Sequence, residues 1–373
     1  MKQILILMGR YLPGHKDGGP LRTIANVTEA LGDEYDFHIA CLDRDHGDTE
    51  PYPGIRMGEW NRVGKAKVWY MAPGGFTDEL ILQLSKGMDL IYLSSFFDDY
   101  GYKTLWLRRR GKITIPVALA SMGVFSEAAL KRKALKKKLF IGLCKAAGMF
   151  RGITWSVTSE LEAADLKRVI GADASCIIAE DLPRSRVPGS PARGYEPPLR
   201  LVFLSRICEH KGLLLAIEAI KQSGVSCFFT VCGPVQEPDY WRECQRRLQG
   251  LPWEYRGDIP SDEVQHELSR HDVLILPTKS ENYGHVIFEA LSVGCIPIIS
   301  DTTPWHAVQE YNAGIVTGPD ARQLAEALRQ LNDLPRERLA EMASNGVQLA
   351  RDKIRAAQTS TGYRDIFGKG GNT

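Results

Sequence analysis

The sequence predicts an α/β protein built from two doubly wound parallel sheets, one in each half of the chain. The chain has 373 residues, which exceeds the usual size of one hydrophobic core. In both halves, short apolar runs alternate with longer helical patterns, as in βαβ units. The alternation stops in "DLPRSRVPGSPARGYEPPL", a stretch with five prolines that is typical of a linker. We therefore expect two Rossmann-like domains joined by a proline-rich hinge.

The first half opens with the buried strand "ILILM", whose apolar run is too short for a signal peptide or a membrane-spanning helix. A Gly-rich loop connects this strand to the amphipathic helix "PLRTIANVTEAL". Strand patterns follow in "DFHIACL", "DLIYLSS", "IPVALA" and "ITWSVTS", and helical patterns in "YKTLWLRRR", a long basic segment and "ELEAADLKRVIG". Ser159 and Glu162 have the spacing of a capping box and mark the start of the last helix.

The second half repeats the alternation. Its strand patterns are "LRLVFLS", "SCFFTVCG", "WEYRG", "DVLILPT" and "IPIIS", and its helical patterns are "GLLLAIEAIKQS", "DYWRECQRRL", "SDEVQHELSR" and "HVIFEALSV". Helical patterns continue from Asp320 to the end. We expect an N-terminal domain over 1–182, a hinge over 183–198, a C-terminal domain over 199–350, and a helical segment over 351–373 that packs back on the N-terminal domain.

The predicted arrangement also predicts where a ligand binds. Two such domains face each other across a cleft, and ligands of open α/β sheets bind outside the carboxyl ends of the strands. The net charge of +2 and the charged fraction of 25% describe an ordinary globular protein, and they argue against a disordered or nucleic-acid-wrapping chain. The eight cysteines are scattered without a C-x-x-C pair, so we expect neither a disulfide framework nor a metal cluster, and a reducing cytoplasm fits best.

The loop "GHKDGGPLRTIANV" follows the first strand and opens a helix. Gly18 and Gly19 lack Cβ, so the backbone can approach a ligand closely, and the N–H groups of the helix N-terminus favour a phosphate. A tight strand-to-helix turn without a ligand is an equally good interpretation. The loop is not G-x-G-x-x-G, and no acidic residue stands at the end of the next strand in the usual dinucleotide arrangement, which argues against a nicotinamide or flavin enzyme.

A second phosphate site is predicted in "FLSRICEHKGL", at the end of the first strand of the second half. Arg206 and Lys211 flank a short loop, and a helix begins from Gly212 onward. Two cations and a helix N-terminus at one strand end suit a diphosphate. The alternative is two solvated surface cations, and His210 between them is interpreted as an exposed loop residue.

Two glutamates stand in "SENYGHVIFEAL", after the buried strand "DVLILPT". Glu281 lies in the loop and Glu289 lies in the helix that follows. Phosphates would repel carboxylates, so in the cleft both glutamates suit neutral hydroxyls, and one carboxylate can accept from both members of a vicinal diol. A nucleotide sugar would satisfy the glutamates and the cations together. The alternative is a helix-dipole partner and an exposed helix glutamate.

Taken together, "SRICEHKGL", the glycine of "VCGP", "YRGDI" and the E-x7-E pattern "ENYGHVIFE" resemble the retaining glycosyltransferases of the GT-B type, family 4. The resemblance implies that Arg206 and Lys211 bind the pyrophosphate, Glu281 the donor hexose, Glu289 the ribose and Gly19 the diphosphate through its backbone. It assigns Arg206, Lys211 and Glu281 to catalysis. It places further nucleotide-sugar contacts at Gly18, Gly233, Arg256, Ile259, Tyr283, Gly284, His285, Thr302 and Thr303.

Two stretches depart from the family pattern. Ser121, Met122 and Gly123 stand where many relatives have a histidine near the reaction centre. "SDTTPWHAV" replaces a Gly-Gly-x-x-E loop and resembles a subset associated with bacterial surface-polysaccharide assembly. Thr302 and Thr303 in this loop suit either donation to the donor or N-capping of the next helix.

The segment "EAALKRKALKKKLFIGLCKAAGMFRG" predicts a basic amphipathic helix. Its apolar residues recur at helical spacing among a cluster of cations, and we expect the Lys131–Lys145 region to dock on an anionic membrane surface. A solvated helix face is the alternative. Nucleic-acid binding is a third interpretation, and the absence of an aromatic and basic recognition motif weakens it. The residues behind this prediction are Lys131, Arg132, Lys133, Leu135, Lys136, Lys137, Lys138, Leu139, Leu143, Lys145, Ala146, Phe150 and Arg151.

The resemblance implies a metal-independent, retaining transfer without a bound cofactor. A hexosyl unit would pass from a nucleoside diphosphate sugar, with UDP favoured, to a hydroxyl of a glycan or lipid-linked acceptor that the N-terminal domain binds. The product would belong to cell-surface polysaccharide or lipopolysaccharide. The protein would be cytoplasmic, with peripheral association on the inner face of the cell membrane as a further expectation. A sugar-nucleotide epimerase of the same architecture and a non-catalytic nucleotide-sugar-binding module are the alternatives.

Overall fold

The computed structural model describes residues 1–125, 130, 134–189, 195 and 198–368. The chain divides into two compact units. Unit 1 comprises Met1–Leu182 and Gln358–Thr373, and unit 2 comprises Pro183–Ala357. Each unit is a largely parallel sheet covered by helices, as the alternating pattern predicts.

In unit 1 the sheet has eight strands in the order β3-β4-β2-β1-β5-β6-β7-β8. The strands are β1 (Lys2–Leu7), β2 (Tyr35–Leu42), β3 (Trp60–Val63), β4 (Ala66–Met71), β5 (Leu90–Leu93), β6 (Val117–Ala120), β7 (Thr154–Val157) and β8 (Ser175–Ile178). The helices before the crossing into unit 2 are α1 (Gly19–Leu31), α2 (Asp78–Ser85), α3 (Asp99–Arg109), α4 (Ala134–Ala146) and α5 (Glu160–Ile170).

The central strand β1 explains why the apolar run at the start of the chain is a strand. Residues 4–7 are fully buried, because helices cover both faces of a parallel sheet. All neighbouring strands pair in parallel except β3 and β4, which form an antiparallel hairpin at the sheet edge. The pattern did not predict this hairpin, whose edge strand β3 is only partly buried and shows weak apolar alternation, although alternate residues of β4 are buried.

In unit 2 the sheet has six strands in the order β11-β10-β9-β12-β13-β14. The strands are β9 (Leu199–Leu204), β10 (Cys227–Cys232), β11 (Trp253–Tyr255), β12 (Val273–Leu276), β13 (Ile296–Ser300) and β14 (Ile315–Thr317). The helices are α6 (Leu213–Ser223), α7 (Pro238–Leu248), α8 (Val264–Leu268), α9 (His285–Ser292), α10 (Ala307–Glu310), α11 (Ala321–Asp333) and α12 (Arg336–Thr359). All these strands run parallel.

The end of the chain differs from the segment expected over 351–373. That boundary falls inside α12, which is continuous to Thr359, and the chain enters unit 1 at Gln358. A further helix, α13 (Gly362–Gly368), then lies in unit 1. The ring of Phe367 is 5.4 Å from that of Tyr35 and 5.5 Å from that of Phe37, so α13 packs beside β2.

The capping box predicted at Ser159 is half correct. The Ser159 hydroxyl accepts a hydrogen bond from the Glu162 backbone N–H at 3.2 Å and caps α5. The Glu162 carboxylate accepts from the backbone N–H of Thr158 at 2.6 Å, one residue before the expected position. No helix in the described parts of the chain combines the length and the hydropathy needed to cross a membrane.

Candidate functional site

The candidate site lies at the carboxyl ends of four adjacent strands of unit 2. The order β10-β9-β12-β13 brings together the loops that follow these strands. The chain passes from β9 to β10 on one side of β9, whereas β12 and the strands after it lie on the other side. The switch point of the sheet therefore lies between β9 and β12. Open α/β sheets bind ligands at such a point. The loops after β9 and β12 carry the predicted catalytic residues.

Lys211 and Glu281 are the central pair of this site. The Lys211 ammonium donates to a Glu281 carboxylate oxygen at 2.5 Å, and the two side chains are 10% and 13% exposed. The sequence assigned the two residues to different groups of one ligand, whereas the structure also joins them to each other. A part-buried ion pair of this kind holds both charged groups at the strand ends.

Backbone geometry fixes the position of Lys211. A short 3-10 turn, Glu209–Lys211, follows β9 and ends at Gly212, whose φ is 77°. A Cβ at Gly212 would lie 2.2 Å from the backbone oxygen of Pro277, so only glycine allows the β9 loop to approach the end of β12 this closely. The close approach explains why Lys211 reaches Glu281.

His210 joins the same two loops, which corrects its interpretation as an exposed loop residue. Its Nε2 lies 3.1 Å from the backbone oxygen of Ser280 and 3.1 Å from the Ser280 hydroxyl. The backbone N–H of Lys279 donates to the His210 oxygen at 2.9 Å. Partial burial, followed by the charge of Lys211, lowers the pKa of His210. A neutral imidazole therefore helps to hold the site together.

Arg206 is exposed and makes a neutral contact. Its guanidinium donates to the side-chain oxygen of Gln236 at 3.3 Å. Gln236 follows β10 and was not singled out from the sequence, because no motif distinguishes a loop glutamine. An exposed guanidinium after β9 retains the donor geometry that suits a phosphate.

Glu289 is buried, so the interpretation of this residue as an exposed helix glutamate is wrong. It lies in α9 with 4% of its surface exposed, and one carboxylate oxygen is 3.2 Å from Nε of Arg184. The same guanidinium donates to the hydroxyl of Ser261 at 3.0 Å and to its backbone oxygen. Arg184 belongs to the stretch predicted as hinge. The only available signal would have been the general rule that a buried carboxylate is paired with a cation.

The loop before α9 is shaped around Gly284. Gly284 has a φ of 80° and precedes the first helical residue, His285, so the backbone N–H groups of α9 begin at this turn. The Trp305 indole N–H donates to the backbone oxygen of Tyr283, and the two rings are 5.4 Å apart. The ring of His285 lies 4.8 Å from that of Tyr283.

The loop after β10 requires glycine at position 233. Gly233 has a φ of 127°, and a Cβ there would lie 1.9 Å from the backbone oxygen of Ser205. The Tyr255 hydroxyl donates to the Gly233 oxygen at 2.9 Å. Arg256 lies 3.6 Å from a carboxylate oxygen of Glu267, and Ile259 packs against the core of unit 2.

The hydroxyls of Thr302 and Thr303 stabilise the loop after β13 and do not cap a helix. The Thr302 hydroxyl donates to the backbone oxygen of Thr278 at 2.7 Å, and the Thr303 hydroxyl donates to that of Ser300 at 3.1 Å. Helix α10 begins at Ala307 and His306 occupies its N-cap position, so N-capping by either threonine is wrong. Contact with the donor stays a prediction for both residues.

In unit 1 the two predicted glycines differ. Gly18 has a φ of 68° and precedes α1, so its backbone conformation favours glycine. Gly19 is exposed, and a Cβ there would meet nothing within 4 Å. The fold therefore does not require glycine at position 19. Glycine would be required there only if a ligand approached this part of the backbone closely.

A buried carboxylate organises the loop where the resemblance implies a histidine. Glu162 accepts hydrogen bonds from the Ser121 hydroxyl at 2.6 Å, from the Thr158 hydroxyl at 2.8 Å, and from the backbone N–H of Gly123. Met122 between them has a φ of 46°, which is strained for a side chain of this kind. The sequence identified Glu162 only as a capping residue.

Asp181 lies at the end of the first part of unit 1 and is also buried. Burial raises the pKa of its carboxyl to about 7, with hydrogen bonds from Thr23 and Tyr363 opposing that effect and the charge of Glu162 adding to it. Tyr363 comes from α13, so the C-terminal helix contributes to this cluster. Within the described residues, no group of three His, Cys, Asp or Glu side chains is placed to hold a metal ion.

Known proteins are similar to this chain in sequence. Residues 192–348, which make up most of unit 2, match the family model described as "Glycosyl transferases group 1". The putative colanic acid biosynthesis glycosyltransferase WcaL of Escherichia coli (strain K12) is 30% identical over 190 residues, which are 46% of this chain and 44% of that protein. Its namesake in Salmonella typhimurium (strain LT2) is 29% identical over 177 residues, 42% of this chain and 41% of that protein. The chain thus spans less than half the length of these relatives.

Solved structures are similar over nearly the whole chain. Anabaena Alr3699/HepE in complex with UDP and glucose has a TM-score of 0.74 at 14% identity, covering 99% of this chain and 100% of that one. The sucrose-phosphate synthase of Thermosynechococcus elongatus has a TM-score of 0.73 at 17% identity, with the same coverage. At such identities the likeness shows the fold alone. It confirms the predicted GT-B class of two parallel-sheet α/β domains.

Proposed function

We propose that this protein transfers a hexosyl group from a nucleoside diphosphate sugar, with UDP favoured, to a hydroxyl of a glycan or lipid-linked acceptor. The observation that carries the proposal is the Lys211–Glu281 pair at the switch point of unit 2, inside the glycosyltransferase group 1 domain. The WcaL relatives support a role in synthesis of a bacterial surface polysaccharide or lipopolysaccharide. The HepE complexes, which contain UDP, support a UDP-sugar donor.

The charges of the site suit the departing diphosphate. As the bond from the anomeric carbon to the diphosphate oxygen breaks, the electron pair goes to the diphosphate, which Arg206, Lys211 and the N-terminus of α9 stabilise. The acceptor oxygen bonds to the anomeric carbon, and its proton leaves with the diphosphate. No protein nucleophile is needed, and retention of the anomeric configuration is part of the proposal.

The glutamates suit the hydroxyls of the donor. Glu281 would hold hexose hydroxyls beside Lys211, and Glu289 would hold the ribose, with Arg184 paired to its carboxylate. Because Arg206 and Lys211 would already offset the charge of the diphosphate, we propose that transfer needs no bound metal. Unit 1 would bind the acceptor, with Gly19 contributing its backbone to the diphosphate.

Product analysis tests the proposed transfer. A thermal-shift panel of nucleotide sugars selects the donor, and we expect incubation with that donor and lipid-linked glycan extracts to yield free nucleoside diphosphate and an extended glycan. The yield should be unchanged in excess EDTA. A changed sugar without an acceptor would show an epimerase instead, and a thermal shift without any product would show a binding module.

Gly19 gives a separate test of unit 1. The Gly19→Ala variant should fold as well as the wild type, because the added Cβ meets nothing in the protein. If the donor diphosphate approaches this backbone, the methyl group should raise the donor KM about tenfold, or about 1.4 kcal/mol. Steady-state kinetics with varied donor measures it, and thermal unfolding controls for stability. An unchanged donor KM would remove Gly19 from the site.

A further inference from the structure

Helix α4 of unit 1 presents its leucines to solvent. Leu135, Leu139 and Leu143 are 85%, 66% and 61% exposed and recur every four residues, so they line one face, which we call the leucine ridge. The opposite face is the one that packs, with Ile141 and Cys144 buried in the core of unit 1. The leucines are therefore not the side of α4 that holds it on the domain.

Lysines flank the leucine ridge on both sides. At about 100° per residue, Lys136 stands about 60° to one side of Leu139 and Lys138 about 100° to the other. Both lysines are exposed. Lys137 points the other way, with its ammonium 5.3 Å from the centre of the Phe97 ring, and the Lys145 ammonium donates to the Val169 oxygen at 3.0 Å. Lys131, Arg132 and Lys133 lie outside the described residues.

The combination indicates a definite kind of partner. Single exposed leucines are ordinary, but three in one row on one helix form an apolar surface that favours burial. The helix contains no acidic residue, and lysines border the row. An apolar row between cationic margins matches the interface of an anionic bilayer, where acyl chains lie just beneath a layer of phosphates.

We propose that α4 lies in the plane of an anionic lipid leaflet, with the leucine ridge inserted among the upper acyl chains and Lys136 and Lys138 on lipid phosphates. The membrane docking expected from the sequence depended on the number of cations. In the present proposal, insertion of the three leucines anchors the helix, and the two lysines make binding depend on anionic lipid. Docking on lipid would give the proposed transferase access to a lipid-linked acceptor. Only this purpose of the surface rests on the proposed function.

Vesicle co-sedimentation of the full chain tests the surface without any sugar transfer. We expect binding to phosphatidylcholine vesicles that contain phosphatidylglycerol, and much weaker binding to phosphatidylcholine alone. The Leu135→Ser, Leu139→Ser, Leu143→Ser triple variant should lower the association constant at least about tenfold. The Lys136→Glu, Lys138→Glu variant should lower it by a similar factor on the anionic vesicles only. The matched control Leu161→Ser, which removes a leucine that is 75% exposed in α5, should bind as the wild type does.

Several outcomes would overturn the proposal. The first is that the wild type does not bind the anionic vesicles, and the second is that the triple leucine variant binds them as strongly as the wild type does. The third is that this variant loses self-association while its vesicle binding stays intact, which would assign the ridge to contact with a second copy of the chain. If the triple variant misfolds, hydrogen exchange of the wild type decides, because docking should protect residues 135–146 only when anionic vesicles are present. Failure here leaves product formation with a soluble acceptor untouched, so it is distinguishable from failure of the proposed transfer.

Discussion

Loss of the Lys211 ammonium is expected to lower transfer by about 100- to 1,000-fold, because a preorganised cation then no longer stabilises the departing diphosphate. Loss of the Glu281 carboxylate should have a comparable effect through the donor hexose. Each single substitution also leaves its partner as an uncompensated charge that is largely buried. We therefore expect Lys211→Met and Glu281→Gln each to destabilise unit 2, by up to about 3–5 kcal/mol.

The double variant Lys211→Met/Glu281→Gln separates the two effects. It removes both charges at similar volume, so stability should return toward the wild-type value while transfer stays lost. Initial rates of nucleoside diphosphate release and urea denaturation give the two readouts. Wild-type turnover in the double variant would contradict the site assignment.

A second ion pair in the same loops is the matched control. Lys279 and Glu209 also connect the β12 and β9 loops, at 2.6 Å, but both side chains are more than half exposed. An exposed pair contributes about 0–1 kcal/mol to stability. The Lys279→Met/Glu209→Gln variant should therefore retain both stability and transfer. A loss of transfer equal to that of the Lys211 and Glu281 variants would mean that loop structure, and not the central pair, sets the rate.

Asp181 is expected to make unit 1 less stable as the pH rises. Its folded-state pKa of about 7 lies above the ordinary value of 3.8, so the folded state binds the proton more tightly than the unfolded state does. The resulting stabilisation is fully present below the ordinary pKa and is lost as the pH rises through the folded pKa. Between about pH 5 and about pH 8 the loss should be about 2–3 kcal/mol.

The Asp181→Asn variant should remove this pH dependence, because the amide carries no ionisable proton. Relative to the wild type it should gain free energy of unfolding between the two pH values, as measured by urea denaturation. Glu79→Gln in α2 removes an exposed carboxylate from the same unit, so it should keep the wild-type profile. Parallel pH profiles for the Asp181 variant and the wild type would show that this carboxyl is ionised throughout the range.

Local patterns in the chain determined the fold and the order of the motifs. Short apolar runs such as "ILILM" and "DVLILPT" are typical of strands buried on both faces, and the helical periods between them favour parallel crossovers, so the two sheets and their strand-end loops could be predicted. The hairpin β3–β4 was missed although alternate residues of β4 are buried, because its edge strand β3 is only partly buried and gives a weak pattern. The residues after β9 and β12 were correctly predicted to lie at strand ends, since position along the chain determines that directly.

Only the tertiary structure decided which side chains meet. The pairing of Lys211 with Glu281, of Glu289 with Arg184 and of Arg206 with Gln236 joins residues 30 to 105 positions apart, and no local period encodes such contacts. The leucines of α4 show the same limit. Their spacing predicts an apolar face, but whether that face packs inward or meets solvent depends on which neighbours cover it, and here Ile141 and Cys144 occupy the core instead. Burial is a property of the whole fold, so the sequence alone left it undecided.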